Sequence, residues 1–481
     1  MFHRRHTWPR RIKLALATSL LGGALHAQAP STPERPWPIP DSATQRAAAL
    51  EIRPGEWIQK SYDLPALIDL AQRTNPDTRA AWEAARAAAA AIGLVESSYL
   101  PQLSMEALGG FERTPLPIPK TLIPKGYFVS DSREIIPSVA LEWLLFDFGR
   151  RDANLEAARA DSFVANAGFT AVHQKIVLEV SQTYFALGAA RGRLRAARKA
   201  LATAQTVETA TQAKRDRGLA TIVALTQAQR QTAQARYSVA AAEGDARTGI
   251  ANLIAALGIP AATPLEVSDA SDTPPPASPN QSIAAAINAA LTKRPDIIAA
   301  LGKVDAAEAS LKAAQRAYRP TIGVSAHVFQ NVGSLRSDGG PTSTVNHAGG
   351  NILFSFSIPL FDGGQRASQI SIARAKVRGS QADLAQIRDS AAQQVVRAYD
   401  ELLTGLAEYD AAETLRRAAN TSYDAALHSY QQGVGTYTEL ATEENAVADA
   451  ERQVEDARAG AHTAAAGLAF AMGLNAVAEP P

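Results

Sequence analysis

Two rhythms of apolar residues run along the chain, and each occurs twice. Leu103, Met105, Ala107, Gly109 and Phe111 alternate with Gln102, Ser104, Glu106 and Glu112. Val139, Leu141, Trp143 and Leu145 then alternate with Ser138, Ala140 and Glu142. Further on, Ile322, Val324, Ala326 and Val328 repeat the pattern, and so do Ile352, Phe354, Phe356 and Ile358. A period of two is the mark of a strand. Each stretch therefore predicts a hairpin, over 101–149 and 320–362, with strands of about ten residues, the length that crosses a bilayer at a tilt. A Pro/Gly-rich loop is expected to join the first pair and a Gly/Ser-rich loop the second. After each hairpin the rhythm changes to threes, fours and sevens. Phe169, Val172, Ile176, Val180, Tyr184, Leu187, Leu194 and Leu201 form one stripe, and Leu384, Ile387, Ala391, Val395, Tyr399, Leu402 and Tyr409 form another. No proline falls between Gly149 and Gly218, so the first stripe predicts a single rod of about 100 Å.

The two stretches are copies of one unit. Asn75-Pro76-Asp77 is matched by Arg294-Pro295-Asp296, and in each a proline follows 25 residues later, at Pro101 and Pro320. Phe146 and Phe361, Tyr184 and Tyr399, Gly218 and Gly433, and Gly258 and Gly473 all share an offset of 215. A duplication predicts repeat 1 over 61–260 and repeat 2 over 281–475, separated by a Pro/Ser-rich linker over 261–280. Within repeat 1 the long helix is expected over 150–217 and a returning helix over 219–258. Within repeat 2 these fall at 365–432 and 436–473. Glycines just past the last periodic residue mark the turns and stops.

Ahead of the repeats, Arg4, Arg5, Arg10, Arg11 and Lys13 precede an apolar run from Leu14 to Ala24, with small residues at Ala27 and Ala29. That order predicts a cleavable secretory signal peptide over 1–29. Residues 30–60 carry Arg35-Pro36-Trp37-Pro38-Ile39-Pro40 and read as an extended Pro-rich arm. The 481 residues are 46% hydrophobic and 20% charged, with a net charge of +1 and no cysteine. Balanced charge argues against a nonspecific nucleic-acid binder. Absent cysteine removes disulfides, thiolate metal sites, thiol catalysis and a lipid-modified amino-terminal Cys.

Geometry constrains what such hairpins can do. Four strands cannot close a barrel, and an open edge in lipid leaves backbone groups without partners. If these strands cross a membrane, several chains must share one barrel, and the long helices must stand in water as a ring. The alternative is a soluble sheet on an exported coiled-coil scaffold.

The duplicated series resembles the TolC-like outer-membrane efflux and export channels, the outer membrane factors. It is carried by the paired Asn75-Pro76-Asp77 and Arg294-Pro295-Asp296 openings and by the helix ends at Pro101 and Pro320. The strand exits Phe146-Asp147-Phe148-Gly149 and Phe361-Asp362-Gly363-Gly364 and the glycine turns complete it. The resemblance implies a mainly α fold with membrane β-hairpins in two tandem repeats. It also implies a homotrimer whose twelve-stranded β-barrel, set in outer-membrane lipid, continues into a long α-helical barrel. A periplasmic adaptor (membrane fusion) protein and an inner-membrane transporter of the RND or ABC type are the implied partners. The function implied is a passive exit duct for efflux or type I secretion. An adaptor component is a further alternative, but adaptors lack two tandem copies that each open with a strand hairpin.

By the same resemblance, Arg217, Gly218, Leu219, Gly433, Val434 and Gly435 form an adaptor-docking tip. Glu439 then falls at an acidic constriction with Glu443 one turn on, and Tyr430 and Tyr437 fall at the gate. Gly435 stands where a basic gate partner can occur and Ala224 where an acidic one can. Closure is therefore expected through packing and hydrogen bonds around Tyr430 or Tyr437. The alternative for Glu439, Glu443 and Glu444 is a solvated acidic face at a helix start. No catalytic or cofactor-binding constellation is found. His173, His327, His347, His428 and His462 have no metal-pair spacing and read as surface or packing residues. The chain is expected not to be an enzyme and to need no cofactor, metal or nucleic acid.

Overall fold

A computed structural model describes residues 61–270 and 273–474, together with Arg46. The expected signal peptide and, apart from Arg46, the Pro-rich arm lie outside the described residues. Repeat 1 runs α1 (Leu64–Thr74), α2 (Pro76–Glu96), β1 (Gln102–Pro117), β2 (Tyr127–Phe146), α3 (Arg150–Asp216) and α4 (Ile222–Leu257). Repeat 2 runs α5 (Ile283–Lys293), α6 (Pro295–Arg316), β3 (Thr321–Ser337), β4 (Thr342–Ser357), α7 (Gln365–Gln432) and α8 (Tyr437–Ala471).

The strands are 16, 20, 17 and 16 residues long, so the expected length of about ten is too short. Much of each expected loop is strand. β2 already begins at Tyr127, and only residues 338–341 separate β3 from β4. Ladder hydrogen bonds join backbone to backbone, so pairing continues where the side chains lose their apolar alternation.

The strands form one antiparallel sheet in the order β1-β2-β3-β4, leaving β1 and β4 as open edges. Register puts Leu103, Leu141, Ala326 and Ile352 in one row across all four strands, and Trp143, Val324 and Phe354 in a parallel row on the same face. The opposite face carries rows such as Ser104, Ala140, His327 and Asn351. Leu103, Met105, Ile352, Phe354 and Phe356 stay exposed. One continuous exposed apolar sheet face with a mixed, more polar reverse fits a membrane barrel wall. Among the described residues no helix is long and apolar enough to cross a membrane.

The two long helices, of 67 and 68 residues, run about 100 Å each. Near the sheet they pack with α2 and α6, and α6 touches both; farther away they pack with α4 and α8. There α3 contacts both α4 and α8, and α8 contacts α7. The apolar stripes explain this. Ile176, Val180, Tyr184 and Leu187 are buried with Leu67, Leu70, Leu253 and Leu257 in one core. Val395, Ala398 and Leu402 are buried with Ala286, Ala290 and Leu468 in its counterpart. The linker closes the first core, because Tyr62 pairs with Val267 and Ala270 lies over Gly188.

The paired motifs are joints. Asn75 caps α2 through Asp77 N–H (2.8 Å), and its amide donates to the Ala256 carbonyl at the end of α4 (3.0 Å). Arg294 likewise donates to the Ala471 carbonyl at the end of α8 (3.0 Å). Asp147 accepts from the N–H groups of Gly149 and Arg151, starting α3 directly beneath β2. Asp362 repeats this with Gly364 and Arg366 beneath β4.

Candidate functional site

The far end of the helices is built by two copies of one turn. Gly218 (φ 77°) and Gly433 (φ 80°) are left-handed, a conformation that glycine adopts without a Cβ penalty. The next residue's N–H reaches back five residues in each: Leu219 to Lys214 O (2.8 Å) and Val434 to Ser429 O (3.1 Å). A threonine then caps the returning helix. Thr221 accepts from Ala224 N–H (3.1 Å) and Thr436 from Glu439 N–H (3.2 Å). This chemistry places two apolar side chains at the tips, with Leu219 74% and Val434 83% exposed. Arg217 closes α3 as its C-terminal cap and is exposed.

Gly435 is packed under α7. A Cβ there would lie 3.0 Å from Ser429 Cβ and 3.2 Å from Tyr430 N. Any side chain at this position would crowd the last turn of α7. Glu439 is exposed, and its carboxylate accepts from Thr436 N–H (2.9 Å), completing a capping box. Glu443, one turn on, is half-buried.

Tyr430 and Tyr437 do meet, edge to face, with ring centroids 6.2 Å apart. Two residues that the sequence reading missed hold Tyr430. Its hydroxyl is 3.0 Å from Thr211 Oγ1, and Lys214 Nζ donates to its carbonyl at 2.9 Å while lying 3.9 Å from its ring centroid. Repeat 1 is therefore fastened to repeat 2 within one chain. Tyr437 is buried with Val207, Ala228 and Leu440, and its hydroxyl has no hydrogen-bond partner. Burial, and secondarily the neighbouring Glu444, push its pKa up to about 12. Thr211→Val keeps the shape but orphans the Tyr430 hydroxyl. It is expected to loosen this joint by about 1–2 kcal/mol, read as faster amide exchange in α8's first turns. Unchanged exchange would mean that packing alone holds Tyr430.

One acidic residue departs from the solvated reading. Glu439 is exposed, but Glu444 is 5% exposed and neither of its carboxylate oxygens has a partner. Its position was legible, since Tyr437, Leu440, Glu444 and Val447 step by three, four and three and so share a face. Thr211 and Lys214 gave no local signal, because their partner lies more than 200 residues away. His462 stacks on Phe185 at 4.5 Å, and burial lowers its pKa. Among the described residues no three His, Asp or Glu side chains are placed to hold a metal ion.

With an open-edged sheet at one end and twin turns at the other, the comparisons with known proteins are decisive. Residues 67–259 and 286–474 match the family described as outer membrane efflux protein, one segment per repeat. The chain belongs to the outer membrane efflux protein family. CyaE of Bordetella pertussis is 30% identical over 349 residues, covering 72% of this chain and 70% of that protein. Among solved structures, CusC superimposes with a TM-score of 0.72 at 21% identity, over 87% of this chain and 96% of CusC. The Campylobacter jejuni CmeC outer membrane channel gives 0.70 at 17% identity, over 93% and 94%. As an outer membrane efflux protein the chain is a channel, not an enzyme, and serves as an exit duct for efflux or secretion.

Proposed function

We propose that three copies of this chain close their sheets into one twelve-stranded barrel in the outer membrane. Their helices then continue as a single tube into the periplasm. The observation that carries this reading is the pair of open edges at β1 and β4 on a sheet with one exposed apolar face. Such edges need partners in lipid, and copies of the same chain supply them without a new surface. The chain reaches the membrane behind a cleaved signal peptide. With no cysteine in the sequence, a thioether-linked lipid has no attachment point.

At the other end, Arg217, Gly218, Leu219, Gly433, Val434 and Gly435 form the docking surface for a periplasmic adaptor. The adaptor couples the duct to an inner-membrane transporter of the RND or ABC type. Support comes from the exposed apolar pair Leu219 and Val434, presented by identical turns. The gate lies just inside, where Tyr430 and Tyr437 hold the helices and Glu439, followed by Glu443, faces the axis.

A ring of like charges focuses negative potential and favours cations. Glu439→Gln, measured in planar bilayers, is therefore expected to lower cation preference and weaken block by divalent ions. The capping amide is retained in this variant, so assembly is expected to be unchanged. Identical selectivity in the two proteins would return Glu439 to a purely capping role.

A further inference from the structure

Glu444 is a polar residue near the tip that neither the fold nor the proposed duct requires. It sits on α8 two turns after Tyr437, on the same face as Leu440. A half-open cavity of about 220 Å³ adjoins it, lined from α3 by Lys199 and Thr203 and from α7 by Asn420 and Tyr423. The side chain is nine-tenths buried and both oxygens lack a hydrogen-bond donor. A buried carboxylate in that state costs far more than a buried carboxylic acid.

The surrounding charges do not supply the missing partner. On α3, Lys199 is engaged by Glu451 of α8, and Glu208 is acidic. On α7, Asp424 is acidic, and Tyr423 is a phenol whose own pKa is raised, first by burial and then by Glu444. On α4, Arg230 acts on Tyr437 and is exposed. Tyr437, on α8 itself, keeps its proton, and its buried hydroxyl is unpartnered. The counterpart of Glu444 in repeat 1, 215 residues earlier, is Gln229, which carries no charge.

We propose that Glu444 is a proton-operated latch: its neutral acid lets α8 seat in the wedge between α3 and α7, and its anion drives that wedge open. The proton enters from solvent through the cavity and leaves the same way. Burial raises the pKa of Glu444 to about 7. The sign follows from linkage. Below the ordinary carboxyl range both the seated and the loosened states hold the proton. Between that range and about 7 the seated state keeps it and the loosened state releases it. Seating therefore weakens as pH rises through this window, and above it the weakening is complete. The latch itself stands on the packing of α3, α7 and α8. That it bears on a pore rests on the reading of this end as the gate.

The test uses the full chain in detergent, with amide exchange in 437–447 corrected for the intrinsic pH dependence. From pH 6 to pH 8 the opening constant of this segment is expected to rise about tenfold. Glu444→Gln, a neutral polar replacement, and Glu444→Met, an apolar one of similar length, are both expected to hold it flat. A carboxylic-acid infrared band that titrates near neutrality is expected in the native chain and is expected to be missing from both variants. If native and Gln proteins share one pH profile, or if no carboxylic-acid band titrates near neutrality in the native chain, the latch is refuted. Bilayer conductance separates the two proposals. Exchange that responds to pH beside conductance that does not would keep the latch and overturn the gate assignment.

Discussion

Asp147→Ala is expected to detach the first hairpin from the helix that carries it. Asp147 and Arg151 are 7% and 8% exposed, and their charged groups lie 3.3 Å apart. The carboxylate also caps α3 through two N–H groups. Arg151 spreads over three carbonyls, those of Ser98 (2.8 Å), Leu144 (2.7 Å) and Leu145 (3.0 Å), and lies 4.6 Å from the centroid of the Tyr99 ring. Removing the acid leaves a buried guanidinium without its counter-charge, a change that typically costs about 3–5 kcal/mol. Asp147→Asn keeps part of the cap but not the charge, and should fall between. The matching joint, Asp362 with Arg366, is more open, its carboxylate being 22% exposed, so Asp362→Ala should cost less. Heat-modifiable migration of membrane-extracted protein reads all three. A native transition in the Asp147→Ala protein would show that the carbonyl contacts alone secure Arg151.

Gly258→Ala is the second large effect, and Gly218→Ala is its control. Both glycines are left-handed, at φ 67° and 77°. A Cβ at Gly258 would lie 2.6 Å from Asn75 Cα and 2.7 Å from Pro76 Cδ, whereas nothing lies within 4 Å at Gly218. The conformational penalty alone is about 1–2 kcal/mol and applies to both. At Gly258 the end of α4 must also move off the α1–α2 corner, which adds roughly 1–3 kcal/mol. Chemical denaturation of the two variants side by side should separate them by that second amount. Equal losses would mean that the Asn75-Pro76 corner yields freely.

The contrast between these joints and the tip indicates which parts of the protein are legible in sequence. Tandem duplication made the joints visible, because Phe146-Asp147 and Phe361-Asp362 recur at one offset, as do Gly258 and Gly473. Helix periodicity made the two cores visible, since Ile176, Val180, Val395 and Leu402 fall on the buried stripes. The outer ends of the strands carry no such mark. Ser130, Asp131, Arg133 and Glu134 alternate nothing, yet their backbones continue the ladders to β1 and β3, with Asp131 facing Arg113 and Arg133 lying over Phe111. At the tip, Glu439 and Glu444 look alike in sequence. Only the packing of α3 and α7 against one face of α8 buries one and leaves the other capping a helix in water.

The order β1-β2-β3-β4 also governs how the protein is made. An unfinished rim at each side leaves the outer backbone groups of β1 and β4 without ladder partners inside one chain. On the proposed shared barrel, maturation becomes a collision between nascent subunits in the plane of the membrane. Yield should climb more steeply than in proportion to expression. Any delay in meeting leaves two unpaired strand edges open to pairing with the wrong chain.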